Sequence, residues 1–206
     1  MLQGQLFVIS APSGAGKTSL VAATIEHFEN LAVSVSHTTR SPRPGDVDGR
    51  DYHFVQQSEF EHLIASGALF EHAKVFGNFY GTSKQAVEAQ LAAGMDVILE
   101  IDWQGAAQVR NMAPKAVSIF ILPPTRQALR ERLFERQQDD AAIIDARMAE
   151  ADETIAQAPH FDYWVINDDF EIALRQLQSI ILSHRQRCAQ IQSKHPKLIE
   201  KLLGQQ

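Results

Sequence analysis

Glycines, a lysine and a hydroxyl residue occur together in the run Ser10–Thr18, in the order typical of a phosphate-binding loop. In such a loop the backbone N–H groups point inward at phosphate oxygens, and the N-terminus of the next helix adds partial positive charge. Lys17 is then placed to hold the β- and γ-phosphates, and the Thr18 hydroxyl to ligate Mg²⁺. The run predicts a nucleotide site formed by Ala11, Pro12, Ser13, Gly14, Ala15, Gly16, Lys17 and Thr18.

This loop alone leaves the reaction open. Ala11 takes the place of the first glycine in the pattern G-x-x-x-x-G-K-[ST]. Loops of this kind serve GTPases, ATPases, and kinases of nucleotides and metabolites. A GTPase normally carries an Asn-Lys-x-Asp motif that reads guanine, and the segment Asn167-Asp168-Asp169 lacks the lysine.

A second group of anion-binding residues lies downstream of the loop. Arg40 and Arg43 are three residues apart and are stiffened by Pro42 and Pro44. Guanidinium groups bind oxyanions bidentately, so this fork suits a phosphate monoester. Further hydroxyl donors to the same phosphate are expected from tyrosines near predicted turns, at Tyr52 and Tyr80.

The elements that must position these residues alternate between strand and helix. Short apolar runs separated by helix-like segments predict an α/β domain whose five-stranded sheet is mainly parallel. The loop would connect the first strand to the first helix, Thr18–Phe28. The five strands are expected at Leu6–Ser10, Leu31–Ser36, Met95–Ile101, Ala116–Leu122 and Tyr163–Ile166.

Residues 37–82 interrupt this alternation and predict a small β-rich insertion. Its first part, residues 37–50, has the prolines and glycines of a loop. Ser58 and Glu61 resemble a capping box that opens a short helix. A hairpin with a tight turn at Gly77–Asn78 is expected to follow.

The C-terminal third is predicted to be mostly helical. Residues 126–157 carry a helical pattern with a polar break at Gln137–Asp140, which indicates two helices. Thr125 can cap the first of them. A long helix is expected at Phe170–Arg187, followed by a basic helical tail that Pro196 interrupts.

Composition limits the class of protein. With 206 residues, 45% apolar and 21% charged, the chain is expected to fold as one domain with a sizeable core. The single cysteine, Cys188, fits a reducing compartment and predicts a cytoplasmic protein. The apolar runs are too short to cross a membrane. The net charge of −6 argues against nucleic-acid or anionic-membrane binding.

Five segments together resemble the guanylate kinases, which are nucleoside-monophosphate kinases specific for GMP. They occur in the family's order and span about residues 4 to 187. The matching segments are Ser10–Thr18, Ser-Val-Ser-His-Thr-Thr-Arg-x-Pro-Arg-Pro-Gly from Ser34, Tyr80-Gly81-Thr82, Glu100-Ile101-Asp102-Trp103-Gln104-Gly105 and Val165–Asp169.

The resemblance implies a P-loop kinase core of about residues 4–36, 83–125 and 155–187. Inserted into this core would be a GMP-binding region, about 37–82, and a helical lid, about 126–154, while a basic tail, 188–206, follows it. One guanylate-kinase-like domain would therefore cover residues 1–206.

By the same resemblance, the GMP phosphate would be held by Arg40, Arg43, Tyr52 and Tyr80. The residues that contact guanine or lie beside it would be Ser36, Glu71, Thr82 and Asp102. Guanine offers N–H donors at N1 and N2 and an acceptor at O6, so a carboxylate with hydroxyl groups suits it. Adenine would leave the carboxylate unpaired, and an unmatched buried polar group gives strong discrimination.

The residues by themselves leave two of these roles open. Without the resemblance, Glu71 is better interpreted as an outward-facing residue of a half-buried ribbon. The arginines of 126–147 alternate with acidic residues, which is also typical of a solvated helix. By resemblance, the catalytic lid arginines are Arg132, Arg136 and Arg147, although Gln137 follows Arg136 where relatives commonly have glycine.

The implied activity is transfer of the γ-phosphate of ATP to GMP, or to dGMP, in purine nucleotide metabolism and GMP recycling. Because a phosphate monoester is mostly dianionic at neutral pH, no general base is needed, and Lys17, Mg²⁺ and arginines including Arg40 are the expected catalytic agents. Asn167 is expected near the adenine of ATP. Either Glu100 or Asp102 would support Mg²⁺ through water.

The residues leave open which monophosphate is the acceptor, whether the chain is an enzyme, and which oligomeric state it has. The chain could be a kinase of another monophosphate on the same core, or a scaffolding domain that binds phosphopeptides without catalysis. The intact Gly16-Lys17-Thr18 favours an enzyme over a scaffold. The expected partners are ATP and GMP, with no nucleic acid and no membrane, and the sequence allows a monomer or a homo-oligomer.

Overall fold

A fully parallel sheet forms the centre of the protein. The structure is a computed structural model that describes residues 4–75, 77–137 and 141–204, with only the backbone described at 136, 137 and 141–143. The chain's strands are β1 (Leu6–Ser10), β2 (Leu31–Val33), β3 (His37–Thr38), β4 (His53–Phe54), β5 (Leu69–Val75), β6 (Asn78–Ser83), β7 (Asp96–Glu100), β8 (Val117–Leu122) and β9 (Tyr163–Ile166).

Five of these strands make the parallel sheet, in the order β2-β7-β1-β8-β9. The predicted α/β fold with a five-stranded sheet is therefore confirmed. β1 is buried along its whole length, as expected for a central parallel strand that is covered on both faces. The carboxyl ends of β1 and β7 are neighbours, and ligands bind at such ends in open α/β sheets.

The chain's helices are α1 (Lys17–His27), α2 (Gln57–Ala65), α3 (Lys84–Ala92), α4 (Trp103–Met112), α5 (Arg126–Gln137), α6 (Ala141–Ile155), α7 (Phe170–Arg185), α8 (Cys188–Lys194) and α9 (Leu198–Leu202). Four of the helices, α1, α3, α4 and α7, cover the two faces of this sheet, and the others lie outside it. In the described part of the chain, no helix has the length and apolar character needed to cross a membrane.

Alternate residues of β1 feed two separate cores. Phe7 and Ile9 pack with side chains of α1 and α7, whereas Leu6 and Val8 pack with side chains of α3 and α4. A third, smaller cluster joins α5 to α6 and includes Leu129, Leu133, Ile144 and Met148. The segment 126–154 thus has apolar packing of its own.

A second sheet of four strands, in the order β4-β3-β6-β5, lies within the predicted insertion. β5 and β6 form the expected antiparallel hairpin, and Gly77 in its turn has a φ of +79°. β3 pairs with both β4 and β6, so residues 37–50 are not loop throughout. Such long-range pairing could not be anticipated from a proline-rich local pattern.

The predicted capping box at Ser58 is wrong. α2 begins at Gln57 with Gln56 as its cap, and no side chain caps it. Glu61 instead accepts a hydrogen bond from Gln57 Nε2 at 2.9 Å. The second strand also ends earlier than predicted, at Val33. By contrast Thr125 caps α5 as predicted, because its hydroxyl accepts the Ala128 N–H at 3.0 Å.

Candidate functional site

The loop between β1 and α1 has the backbone conformation that phosphate binding needs. Gly14 and Gly16 have φ values of +88° and +91°, a region that L side chains rarely adopt. Gly16 is also the N-cap of α1. A Cβ atom at Gly16 would collide with the side-chain amide of Asn167, so both backbone shape and space require glycine there.

Asn167 lies behind this loop. Its side chain donates a hydrogen bond from Nδ2 to the Ala15 carbonyl at 2.8 Å, and the residue is 6% exposed. Its own backbone carbonyl accepts a bond from Arg132 Nη2 at 2.9 Å. The structure therefore gives Asn167 contacts that fix the loop, and its predicted proximity to adenine stays a prediction.

Lys17 and Thr18 contact residues at the carboxyl end of β7. Lys17 Nζ donates to the Ile101 carbonyl at 3.2 Å, and the Thr18 hydroxyl donates to the Glu100 carboxylate. Asp102 has a different local role, because it caps α4 by accepting the Gly105 N–H at 2.8 Å. Of the two candidate carboxylates for a metal, Glu100 is thus the one that contacts the loop hydroxyl.

Ser36, Glu71 and Thr82 form a connected hydroxyl–carboxylate triad. The Thr82 hydroxyl donates to Glu71 Oε1 at 2.6 Å, and the Ser36 and Thr82 hydroxyl oxygens are 3.2 Å apart. Glu71 and Thr82 are register partners on β5 and β6. Glu71 is only 3% exposed, so its interpretation as an outward-facing strand residue is wrong.

Burial raises the pKa of the Glu71 carboxyl to about 7, and Asp102 adds to this rise. The hydrogen bond from Thr82 opposes the shift because it favours the ionised form. Burial also raises the pKa of Asp102. Near neutral pH the Glu71 carboxyl of the triad is therefore present in both its neutral and its ionised form.

The predicted phosphate-binding residues divide into two groups. Arg43, Tyr52 and Tyr80 line the same cleft as the loop, with the two tyrosine rings 5.8 Å apart. Burial, with Glu100 and Tyr80 as smaller contributions, raises the pKa of the Tyr52 hydroxyl, so it stays a proton donor. Arg40 is not among the described residues that line the cleft, and its guanidinium carbon lies 5.3 Å from the centre of the Tyr52 ring.

Arg40 is held by a residue that sequence reasoning missed. Its Nη2 forms an ion pair with Asp46 Oδ2 at 2.9 Å, and Nη1 donates to the Ser41 carbonyl. The same Asp46 oxygen accepts the backbone N–H of Arg43 at 2.7 Å. Asp46 therefore orients the Arg40 guanidinium and holds the Arg43 backbone, and nothing in the loop sequence marks it as their partner.

Two of the three predicted lid arginines have described side chains, and both reach the cleft. Arg132 and Arg147 line it together with Glu135 and Glu150. Among the described residues, Arg132 Nη1 is buried and has no hydrogen-bond partner. The side chain of Arg136 lies outside the described residues, as do Gln138–Asp140 of the predicted polar break.

All these walls enclose one cleft of about 630 Å³. Of the predicted site residues, those that line it are Ala11, Pro12, Ser13, Gly14, Gly16, Lys17, Thr18, Ser36, Arg43, Tyr52, Glu71, Tyr80, Asp102, Arg132 and Arg147. The buried Ala15, Thr82 and Asn167 support this lining from behind. Sequence reasoning missed Gln104, Glu135, Glu150, Ala151 and Thr154, which reach the cleft only through helix packing.

The comparisons with known proteins agree with this site. The family model described as guanylate kinase matches residues 3–184. The chain is 56% identical to the guanylate kinase of Saccharophagus degradans over 201 residues, with 98% of each chain covered. It is 54% identical to that of Methylococcus capsulatus over 204 residues, covering 99% of this chain and 100% of the relative.

Among solved structures, the crystal structure of guanylate kinase from Anaplasma phagocytophilum is similar to this fold with a TM-score of 0.77. The two sequences are 33% identical, and the match covers 91% of this chain and 89% of the other. The parallel-sheet fold, the phosphate loop with Gly16-Lys17-Thr18 and the match over nearly the full length all indicate the same family. The chain belongs to the guanylate kinase family.

Proposed function

We propose that this protein transfers the γ-phosphoryl group of ATP to GMP, giving ADP and GDP. The observation that carries this proposal is that Ser36 and Glu71 of the hydroxyl–carboxylate triad line the same cleft as the phosphate loop. One wall suits guanine and the other suits a triphosphate. The names of the relatives, all guanylate kinases, support the same reaction.

Guanine recognition would depend on the ionised form of Glu71. Its carboxylate accepts the N–H donors at N1 and N2, while hydroxyl groups of Ser36 and Thr82 supply donors and acceptors beside it. Adenine presents an acceptor at N1, so it would leave a buried carboxylate without a partner. The 3% exposure of Glu71 makes that loss costly, because water cannot replace the missing bond.

The GMP phosphate would be bound by Arg43, Tyr52 and Tyr80, which line the cleft. Arg40 joins them in this proposal by exchanging part of its contact with Asp46 for the phosphate. The Arg40 and Asp46 side chains are only 12% and 20% exposed, so dissolved salt weakens their attraction only partly. Asp46 thus keeps the fork oriented before the substrate arrives.

The residues present fit Mg²⁺ bound mainly by the nucleotide. Thr18 and Glu100 together offer hydroxyl and carboxylate oxygens, the ligands that Mg²⁺ prefers, and phosphate oxygens and water would complete the shell. Within the described residues no group of three or more His, Cys, Asp or Glu could hold a metal by itself. When bound, Mg²⁺ neutralises charge that develops on the β- and γ-phosphates. Asp102, which caps α4 and also lines the cleft, is the other candidate and would act through water.

Catalysis would consist of positioning and charge neutralisation. A phosphate oxygen of GMP attacks the γ-phosphorus in line, and the bond from that phosphorus to the β,γ-bridging oxygen breaks as ADP leaves. Lys17 and the loop N–H groups stabilise the leaving diphosphate. No side chain has to remove a proton, because the attacking phosphate is already ionised.

The α5–α6 segment would act as the lid that carries Arg132, Arg136 and Arg147. Arg132 donates to the Asn167 carbonyl, and its buried Nη1 has no hydrogen-bond partner among the described residues, which supports a role in binding a phosphate oxygen. A lid of this kind would exclude water from the transferred group and so prevent hydrolysis of ATP. Cytoplasmic localisation and oligomeric state stay predictions.

The proposal is tested by measuring ADP release from ATP and Mg²⁺ with GMP, dGMP, AMP or UMP as acceptor. We expect turnover with GMP and dGMP, since the guanine contacts do not involve the 2′-hydroxyl, and at least a hundredfold lower kcat/KM with AMP. Equal turnover of AMP and GMP would overturn the guanine assignment. Absence of ADP release with all four acceptors would favour a binding domain.

A further inference from the structure

The side-chain amide of Gln108, in the middle of α4, binds the backbone of β5 as a neighbouring strand would. Its Oε1 accepts the His72 N–H at 3.1 Å, and its Nε2 donates to the His72 carbonyl at 2.6 Å. β5 is the edge strand of the second sheet, and among the described strands it pairs with β6 alone. The amide therefore satisfies backbone groups on the open side of that edge.

This contact lies one residue from the carboxylate of the triad. Glu71 precedes His72 on β5, and its carboxylate packs against α4 at Gly105. A Cβ atom at Gly105 would overlap Glu71 Oε2, so only glycine leaves room for the carboxylate. Gly105 and Gln108 are three residues apart and share one face of the helix.

Pairing with β6 alone leaves the backbone beside Glu71 less constrained. The register of β5 against β6 shifts between Leu69 and Glu71, which marks an irregularity immediately before the carboxylate. When the pairing of a strand is irregular on one side, hydrogen bonds to a second partner on its other side restrict the position of its backbone. That partner is α4, a helix that follows β7 of the central sheet directly.

We propose that Gln108 is a positioning residue for guanine recognition, holding the β5 backbone so that the Glu71 carboxylate stays in the space that Gly105 provides. The inference rests on the proposed GMP kinase activity. It assigns the base specificity of the cleft partly to the core helix α4, outside the insertion from which Glu71 comes. Gln108 itself does not line the cleft among the described residues.

The test compares Gln108→Met, which keeps the side-chain length but removes both hydrogen bonds, with wild type. The acceptors are GMP and inosine monophosphate, which lacks the 2-amino group. We expect the KM for GMP to rise about tenfold with kcat and the KM for ATP changed less than twofold. The preference for GMP over inosine monophosphate falls, because a displaced carboxylate no longer pairs with N2.

The matched control is Asn111→Met, which puts the same residue at an exposed position of α4, three residues after Gln108. It is expected to behave as wild type with every nucleotide.

A second variant, Gln108→Glu, keeps the acceptor for the His72 N–H but sets a carboxylate against the His72 carbonyl. It should raise the KM for GMP by at least as much as Gln108→Met. Each variant is assayed well below its own melting temperature, so that loss of folding is not read as loss of binding.

A pH profile of the KM for GMP distinguishes a positioning role of Gln108 from a general destabilisation of the fold. When Glu71 is no longer held in its buried space, water reaches it and its pKa moves back toward the ordinary value. The midpoint at which the KM for GMP rises on acidification is then expected at lower pH in Gln108→Met than in wild type. Unchanged KM, nucleotide preference and midpoint in both Gln108 variants overturn the proposal, as does an equal loss with GMP, inosine monophosphate and ATP. Failure of wild type to phosphorylate GMP overturns the proposed function instead.

Discussion

The two walls of the cleft are built in opposite ways. The phosphate loop consists of consecutive residues, Ser10–Thr18, and its binding groups are mostly backbone N–H groups. The hydroxyl–carboxylate triad takes Ser36, Glu71 and Thr82 from separate segments, which β5–β6 pairing and side-chain hydrogen bonds bring together. The loop wall depends on conformation along the chain, whereas the triad wall depends on long-range packing.

This difference determines how each wall can fail. The loop needs glycines at positive φ and one lysine, and other side chains in it matter less. The triad needs a buried carboxylate, whose desolvation is costly and is offset only when every partner is in place. Substitutions should therefore reduce chemistry on the first wall and base selectivity on the second.

The largest effect is expected for Lys17→Ala. Removal of the ammonium takes away charge stabilisation at the transferred phosphate, and we expect kcat to fall about a thousandfold. The KM for GMP should change little, because GMP binds at the opposite wall. ADP release at saturating nucleotide measures this. Wild-type turnover in the variant would contradict the assignment of the loop.

A smaller but more selective effect is expected for Glu71→Gln. The amide would present an N–H donor toward a guanine N–H donor, so kcat/KM with GMP should fall about a hundredfold while the KM for ATP stays the same. Glu26→Gln, an exposed site on α1, is the matched control. If both variants lost the same activity, the triad would not be the base-recognition site.

An intermediate effect is expected from pH. The pKa of Glu71 is about 7 in the nucleotide-free protein, so the neutral form increases as pH falls through 7, and guanine needs the ionised form. We expect the KM for GMP to rise about tenfold between pH 8 and pH 6. Because the GMP phosphate also titrates in this range, Glu71→Gln provides the control profile, in which only the phosphate contribution is retained. Identical profiles would contradict the prediction.

Titration of the Glu71 carboxyl also makes the free energy of unfolding depend on pH, and its raised pKa determines the direction of that dependence. Its folded-state pKa lies above the ordinary 4.5, so its contribution to the free energy of unfolding is fully present below pH 4.5. That contribution is lost as pH rises through about 7. Chemical denaturation of nucleotide-free protein should show this loss, and Glu71→Gln, which has no group to titrate there, should not.

The smallest effect is expected for Asn167→Ala, which removes the bond to the Ala15 carbonyl. One neutral hydrogen bond contributes about 1 kcal/mol, which corresponds to about a fivefold rise in the KM for ATP. The KM for GMP should remain as in wild type. Equal increases for both substrates would mean that Asn167 stabilises the fold as a whole and not the loop wall.

Sequence reasoning succeeded where structure follows from neighbours along the chain. The strand–loop–helix at Ser10–Thr18, the Thr125 cap and the hairpin at Gly77–Asn78 each depend on local conformational preferences, and the structure contains all three. It failed at the Ser58 capping box, because the helix begins two residues too early for Ser58 to be its N-cap.

Long-range effects account for the remaining differences. From its local pattern Glu71 resembles an exposed strand residue, yet packing against Gly105 of α4 buries it. The Asp46 bridge between Arg40 and the Arg43 backbone also escaped prediction, since nothing in a loop sequence specifies which carboxylate pairs with which arginine. The resemblance to the guanylate kinases supplied the role of Glu71 before the structure supplied its surroundings.

The sequence by itself determined the phosphate loop, the alternation of strand and helix, and the family, because backbone conformation and apolar periodicity are encoded by nearby residues. Only the tertiary structure decided that Ser36, Glu71 and Thr82 join, and that Gln108 and Gly105 of another element surround the carboxylate. The physical reason is that burial and hydrogen-bond partners are properties of contacts between distant segments. Those contacts exist only once the sheets and helices have packed.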